Sequence, residues 1–409
     1  MAQDGVTQSE IEALGSSMTL PCGLVLKNRL VKAAMSDSLG DGAGNPTETQ
    51  RALYRRWAQG GTALSLIGEV QVDPAYPEKP GNLVLSVRSD ESRLRQLAEA
   101  GSEDGAHIWP QLGHAGALAH PPISSPVGPS ALDLDGLQCD ALSIQDVEDL
   151  PAQYAQAAKR AEALGFTGVQ VHAGHGFLLS QFLSPLFNHR TDRYGGPIEA
   201  RASILLDIVR QIRAEVSPAF AVGVKINTSD QLEGGLTEDD ALVAVELLGQ
   251  HGVDLVDLSG GTYFPGAPSS SDRRPSGPYF LDFARRARKV TDVPLMVTGG
   301  FKTRREAAEA VAHGAADLVG LARAMVLDPE VPARWQRPGG GDPTYPRFGS
   351  PPPGGITAWY TMRLTALAAH DEARYDPSLH AAIETYESRD ADRVATWKQA
   401  FAASPDCHT

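Results

Sequence analysis

His172 and His175 follow a short β-branched run, Gly168-Val169-Gln170-Val171, that reads as a buried strand. Two imidazoles at the C-terminal end of a strand can grip one oxygen of a bound molecule, and a (β/α)8 barrel collects its donors at that end. H-x-x-H also marks some metal sites, but no glutamate follows the first histidine and no third ligand is near, so no metal is expected. The plainer alternative is a pair of satisfied core histidines. Phe177 stands at the next inward place and has no proton to give.

Three further sets of residues carry chemistry. Lys225 interrupts an apolar strand, Val224-Lys225-Ile226; a buried lysine serves either a negative charge on a bound ring or an internal ion pair. Gln111 ends another strand with an amide that both donates and accepts, which suits a pyrimidine-like edge, or simply caps a loop. Thr298-Gly299-Gly300-Phe301-Lys302-Thr303 joins a strand to a helix, and Gly320-Leu321-Ala322-Arg323 closes the next strand. Neighbouring strand ends with free backbone N–H groups and one arginine form the phosphate site usual in barrels after strands seven and eight. Two tight turns beside a surface arginine would have the same sequence.

The elements that must position these groups alternate. Strands are expected at Arg29-Ala34, Ala63-Val70, His107-Leu112, Gly168-His172, Ala221-Ile226, Leu255-Leu258, Leu295-Thr298 and Asp317-Leu321. Helical spacing runs through Gln145-Ala163, Pro197-Val216, Thr237-Gln250, Tyr279-Val290 and Thr303-His313. Thr237 with Asp240, and more strongly Thr303 with Glu306, resemble capping pairs. This order predicts an α/β fold, a single (β/α)8 TIM barrel. An open doubly wound sheet is the second choice, weakened because no Gly-rich dinucleotide turn follows an early strand. Ala115-Ser143, rich in Pro and Gly, reads as a lid excursion after strand 3. The barrel is assigned residues 1–340, and 341–409 a C-terminal helical extension packed on it.

Composition bounds the partners. A formal charge of −14 argues against nucleic acid or an acidic membrane surface. No apolar run approaches a membrane span, no signal peptide is visible, and three scattered cysteines fit a reducing, cytoplasmic compartment. A small-molecule substrate is expected; oligomeric state is not legible.

Together these segments resemble the old yellow enzyme family, the NADH:flavin oxidoreductases, from about Leu20 to about Leu327. The resemblance rests on K-N-R-L-V-K-A-A-M-S at Lys27-Ser36, Q-L-G-H-A-G at Gln111-Gly116, the His172 segment, R-T-D-R-Y-G-G at Arg190-Gly196, L-S-G-G at Leu258-Gly261, and the closing V-T-G-G-F and V-G-L-A-R. It implies a barrel holding non-covalent FMN and using NADH or NADPH. By that resemblance Ala34, Met35 and Ser36 line the flavin near its reactive edge, Val70 gives backbone contacts under the ring, and Gln111 holds the pyrimidine. Lys225 stands where the family often has Arg, beside N1 and O2, favouring the anionic reduced flavin. Gly299, Gly300, Ala322 and Arg323 cradle the phosphate. His172 and His175 bind a carbonyl or nitro oxygen while hydride passes to an electron-poor alkene.

Two departures bear on function. Phe177 replaces the usual Tyr that protonates the α-carbon, a step worth a factor of about 100 to 10,000. A substitute donor, Tyr263 or water, is one outcome. Reduction of quinones, dioxygen or nitro groups is another, and alkene isomerisation or a pathway-specific redox step a third; an FMN-binding protein with little turnover is the remaining alternative. Ala117 stands where the Q-L-x-H-x-G motif is usually followed by Arg.

Overall fold

A computed structural model describes residues 6–134, 136–264 and 277–402. Eight parallel strands close on themselves: β1 (Leu30–Lys32), β2 (Leu64–Gln71), β3 (His107–Gly113), β4 (Gly168–Ala173), β5 (Ala221–Asn227), β6 (Leu255–Ser259), β7 (Leu295–Thr298) and β8 (Leu318–Leu321). Each pairs with its sequence neighbours, and β8 to β1 and β1 to β2 complete the ring. The (β/α)8 barrel expected from the alternation is therefore the fold.

The barrel interior is filled from below. Val31, Leu64, Leu66, Trp109, Ala221, Leu255, Met296 and Leu318 form a closed apolar cluster with Leu20 and Leu26. The last two flank and belong to an N-terminal hairpin, Met18–Thr19 with Val25–Leu26, which plugs the end of the barrel away from the site. Opposite strand faces pack outward on α1 (Glu48–Gln59), α2 (Glu91–Gly101), α3 (Ile144–Ala163), α4 (Ile198–Glu215), α5 (Glu238–Gly249), α6 (Leu281–Ala287) and α7 (Arg304–Ala312). Thr237 caps α5 and Thr303 with Glu306 closes a full capping box on α7. The helix expected over Tyr279-Val290 is shorter, because Phe280 and Arg288 leave helical geometry or cap at its ends.

Above the apolar plug the inward positions turn polar. Gln111, Gln170, Lys225, Asp257 and Thr298 come from five consecutive places around the ring, and each is buried. Only strand pairing brings them level.

The excursion between β3 and α3 holds a small sheet, Val127–Gly128, Leu132–Leu134 and Leu137–Ala141. Arg190 clamps it: Nη1 donates to Pro129 O at 3.0 Å and Leu142 O at 2.8 Å, while Nε and Nη2 hold Asp192. The R-T-D-R motif is thus a strut. At the chain's end α8 (Gly355–Ala368) packs on α1, and α9 (Leu379–Phe401) runs beside α8 to the mouth of the barrel. There Arg393 Nη1 donates to Ser38 O at 2.7 Å and Trp397 Nε1 to Pro74 O at 3.1 Å. No helix of the described residues is long and apolar enough to cross a membrane.

Candidate active site

The two histidines meet at the C-terminal mouth. His172 ends β4 facing inward, level with Lys225 and Asp257 on the next two strands. His175 sits three residues on in left-handed backbone, φ +59°, an unusual place for a residue with a Cβ. It is held there by Asn227, whose Oδ1 accepts from His175 N at 2.9 Å and whose Nδ2 is tied to Ser180, Asp230 and Gly261. The rings stand edge to face, with His172 Nε2 3.2 Å from His175 Nδ1. His175 Nε2 lies 3.0 Å from Ser259 Oγ on β6.

The other nitrogen of His172 faces a carboxyl. Glu69 Oε1 is 2.6 Å from His172 Nδ1, and both side chains are buried. As the side chains stand Nδ1 has no aligned hydrogen-bond partner, so a small turn of ring or carboxyl would complete the contact in either direction. A bulge in β2 puts Glu69 there: Ile67 pairs with Pro110 but Val70 with Leu112, so β2 carries one extra residue. Glu69 takes φ +56°, and Gly68 lets the Met35 backbone approach so closely that a Cβ would collide with it.

Burial decides the charges. It raises Glu69 to about 8, against the weaker pull of Gln71 and Lys225. It lowers His172 to about 3, with the Lys225 ammonium adding to the effect and Asp257 opposing it. His175 is held well below its ordinary range by burial, then by Lys225 and His172. At neutral pH both imidazoles are neutral and Glu69 carries its proton.

Lys225 has its internal partner. Nζ donates to Asp257 Oδ2 at 2.8 Å, and neither side chain is more than 1% exposed. Asp257 also accepts from Thr298 Oγ1 at 2.6 Å and Gln170 Nε2 at 3.2 Å. Gln170 in turn accepts from Gln111 Nε2 at 2.7 Å. One buried chain therefore links Gln111 on β3 to Lys225 on β5 through Gln170 and Asp257.

Phe177 is 2% exposed, its ring centroid 4.9 Å from that of His172. Tyr263 lies over the pair, 5.7 Å from His175 and 5.9 Å from Phe177 between centroids. The loop that follows Tyr263 falls outside the described residues from 265 to 276. Ser36, half-buried beside the mouth, bridges Gly68 and accepts from Asn82 Nδ2 at 3.3 Å. Ala34 and Met35 precede it on the same rim, both partly exposed. The Val70 side chain belongs to the outer core, so only its backbone is presented to the mouth.

On the far rim, Gly299 and Gly300 both have positive φ, and a Cβ on Gly300 would strike Gly277 O. Ala322 precedes Arg323, which opens a one-turn helix and is half-buried with no carboxylate partner among the described residues. The phenols of Tyr345 and Tyr360, from the chain beyond the barrel, feel its charge. An unpaired guanidinium beside two backbone-open turns fits a phosphate, and the Gln111 to Lys225 chain fits the polar edge of a flat ring. Glu69, Gln170, Asp257, Ser259 and Asn227 are not singled out by the sequence, which offers the helical extension containing α9 but not its place at the mouth. A polar residue inside an apolar strand was the available signal for Gln170 and Asp257, the same one that marked Lys225.

A family model described as NADH:flavin oxidoreductase / NADH oxidase family matches residues 22–338. Among curated relatives, NADH-dependent flavin oxidoreductase iliE of Hypocrea jecorina (strain QM6a) is 37% identical over 348 residues, 77% of this chain and 86% of that protein. NADPH dehydrogenase of Bacillus subtilis (strain 168) is 31% identical over 325 residues, 75% of this chain and 89% of that protein. Among solved structures, morphinone reductase in complex with tetrahydroNAD is 25% identical with a TM-score of 0.68, over 79% of this chain and 90% of that one. A 2-naphthoyl-CoA reductase complex gives a TM-score of 0.74 at 26% identity, over 79% of this chain and 52% of that one.

Proposed function

We propose, from the premise that this chain belongs to the NADH:flavin oxidoreductase / NADH oxidase family and is an FMN-dependent NAD(P)H oxidoreductase, that it reduces electron-poor alkenes bearing a carbonyl or nitro group. The observation that carries this reading is the neutral imidazole pair, His172 and His175, backed by Glu69 and Ser259 at the mouth of the barrel. The chemistry supplied by bound FMN is hydride relay from NADH or NADPH to the acceptor.

The residues divide the remaining work. Arg323 with the Gly299, Gly300 and Ala322 backbone would hold the phosphate, and Gln111 and Lys225 the pyrimidine side of the ring. Ala34, Met35, Ser36 and the Val70 backbone would border its reactive edge. His172 Nε2–H and His175 Nδ1–H would donate to one substrate oxygen, with the Ser259 hydroxyl turning to donate to His175 Nε2. Two neutral donors withdraw electron density from the alkene without placing an imidazolium against Lys225. The likeness to morphinone reductase, whose complex holds tetrahydroNAD, supports one face serving nicotinamide and acceptor in turn.

Phe177 keeps a second reading open, alkene isomerisation, in which hydride is returned and no NAD(P)H is consumed. Anaerobic stopped-flow spectroscopy separates the two. Fast bleaching of the yellow protein by NADH or NADPH, followed by reoxidation with cyclohexenone, supports reduction. Double-bond migration without net nicotinamide use supports isomerisation, and slow bleaching with every nicotinamide contradicts both.

A further inference from the structure

The reductase reading leaves a gap, because a hydride alone does not complete an alkene reduction and Phe177 has no proton. The structure holds one beside the substrate site. Glu69 Oε1 lies 2.6 Å from His172 Nδ1, and the opposite nitrogen of the same ring, Nε2, faces His175 at 3.2 Å. The carboxyl is fixed from several sides. The β2 bulge aims it inward, Gln71 Nε2 approaches its second oxygen at 3.5 Å, and that oxygen would touch a Cβ on Gly113. Ring and carboxyl are both buried, so no bulk water competes for the contact.

We propose that Glu69 supplies the proton of alkene reduction through His172, delivering it to the substrate oxygen rather than to the α-carbon. The step balances. The Glu69 O–H bond breaks as the His172 Nδ1–H bond forms; the His172 Nε2–H bond breaks as an O–H bond forms on the substrate. Hydride originating in NAD(P)H forms the β-carbon C–H bond, and the alkene electron pair shifts to give an enol. The enol leaves and takes its α-proton from water. His172 stays neutral but ends as the Nδ1–H tautomer, and Glu69 ends as a carboxylate; the cycle closes when, after the enol has left, a water in the open substrate site protonates His172 Nε2 and the Nδ1 proton returns to Glu69. Glu69 acts through His172 and is a positioning and proton-supplying residue, not one that touches substrate.

Burial sets the protonation of Glu69, with Gln71 and Lys225 opposing it, and other titratable groups surround it. His172 comes from β4, Lys225 with its partner Asp257 from β5 and β6, Tyr154 from α3, and Tyr263 from the loop after β6. Glu78, from the segment after β2, is itself raised to about 7 by burial and then by Glu69, and its Oε2 has no hydrogen-bond partner. A charge on Glu69 disfavours one on Glu78, so the two resist joint ionisation. Burial puts Glu69 at about 8, so the proton is present below that pH and absent above it.

This inference rests on the reductase reading, and its test separates the two failures. Glu69→Gln keeps an N–H that can donate to His172 Nδ1 but removes the transferable proton. In FMN-loaded protein, the rate of reoxidation by cyclohexenone relative to that of reduction by NADH should fall about 100-fold or more. The decline of the parent rate above about pH 8 should vanish in the variant. The parent should convert 2-methylcyclohexenone to both C2 enantiomers, as an enol protonated in water requires. Nitrogen-15 NMR of the histidines gives a readout independent of turnover: His172 should be the Nε2–H tautomer, with an Nδ1 shift change near pH 8 that is lost in Glu69→Gln. If the parent turns over no alkene, the reductase reading fails and the NMR result alone judges the Glu69–His172 contact. An unchanged reoxidation rate in Glu69→Gln, a single C2 enantiomer from the parent, an Nδ1–H tautomer, or a loss of that size in Tyr263→Phe instead, overturns the proposal. Should Glu69→Gln fail to fold, the parent's enantiomer ratio and tautomer still decide.

Discussion

Lys225 and Asp257 allow structural and functional electrostatics to be separated in one double-mutant cycle. The pair is buried to within 1% exposure on each side, with Nζ 2.8 Å from Oδ2. Lys225→Met leaves an Asp257 carboxylate held only by Thr298 and Gln170; Asp257→Asn leaves an ammonium with no counter-charge. Breaking a buried pair from one side costs about 3–5 kcal/mol. The double variant removes both charges, yet Asn can still accept from Gln170, and Thr298 can reverse its hydroxyl to accept from the new amide. Such neutral replacements are close to isoenergetic, so the double variant should lie within about 2 kcal/mol of the parent and be more stable than either single variant. Equilibrium urea denaturation measures the stabilities, and the same samples report FMN affinity by fluorescence. The double variant should fold but hold FMN more weakly than the parent. Stability losses that simply add would refute the buried-pair reasoning. A double variant with parental FMN affinity would show that Lys225 serves the barrel alone.

Three other outcomes follow from particular contacts. Phe177→Tyr places a phenol beside His172 and should leave the cyclohexenone rate within about threefold, because the oxygen is already protonated, yet turn the 2-methylcyclohexanone product into a single C2 enantiomer; chiral chromatography checks this. Arg323→Ala removes the far-rim guanidinium that has no carboxylate partner among the described residues and should weaken FMN about 10- to 100-fold, as loss of a charge-assisted hydrogen bond does; equal retention on dialysis contradicts the phosphate assignment. Lys32 is buried over Trp57 at 4.5 Å and donates to Leu66 O at 2.8 Å, and burial lowers it to about 7. Between about 7 and its ordinary 10.5 the unfolded chain binds the extra proton, so this group makes stability rise with pH there. Lys32→Met should remove that rise, about 1.4 kcal/mol per pH unit at most, from denaturation curves taken at pH 7 to 9.

The barrel is legible because short apolar runs bounded by turn residues alternate with helical spacing, and all eight strands start within a residue of their expected first position. Helices α1 and α2 were passed over although Thr47 and Asp90 cap them, since their apolar faces are thin beside the charged residues around them. The imidazole pair, Gln111, Lys225 and Arg323 were visible as polar residues at strand ends or inside apolar runs. Their partners were not. Register alone sets Lys225 beside Asp257 and His172 beside Lys225, and no local pattern encodes register between strands. Glu69 reads as an ordinary strand residue until the bulge turns it inward, and bulges need the partner strand to be seen. The contact of α9 with Ser38 spans 355 residues and could come only from packing.

Hydride destination tests the central claim most directly. FMN-loaded protein would be given cyclohexenone and nicotinamide carrying two deuterons at C4, anaerobically in ordinary water. A reductase of the kind described places one deuteron per product on the β-carbon and none on the α-carbon. Cyclohexanone lacking β-deuterium, or nicotinamide oxidised with no saturated ketone formed, would contradict it.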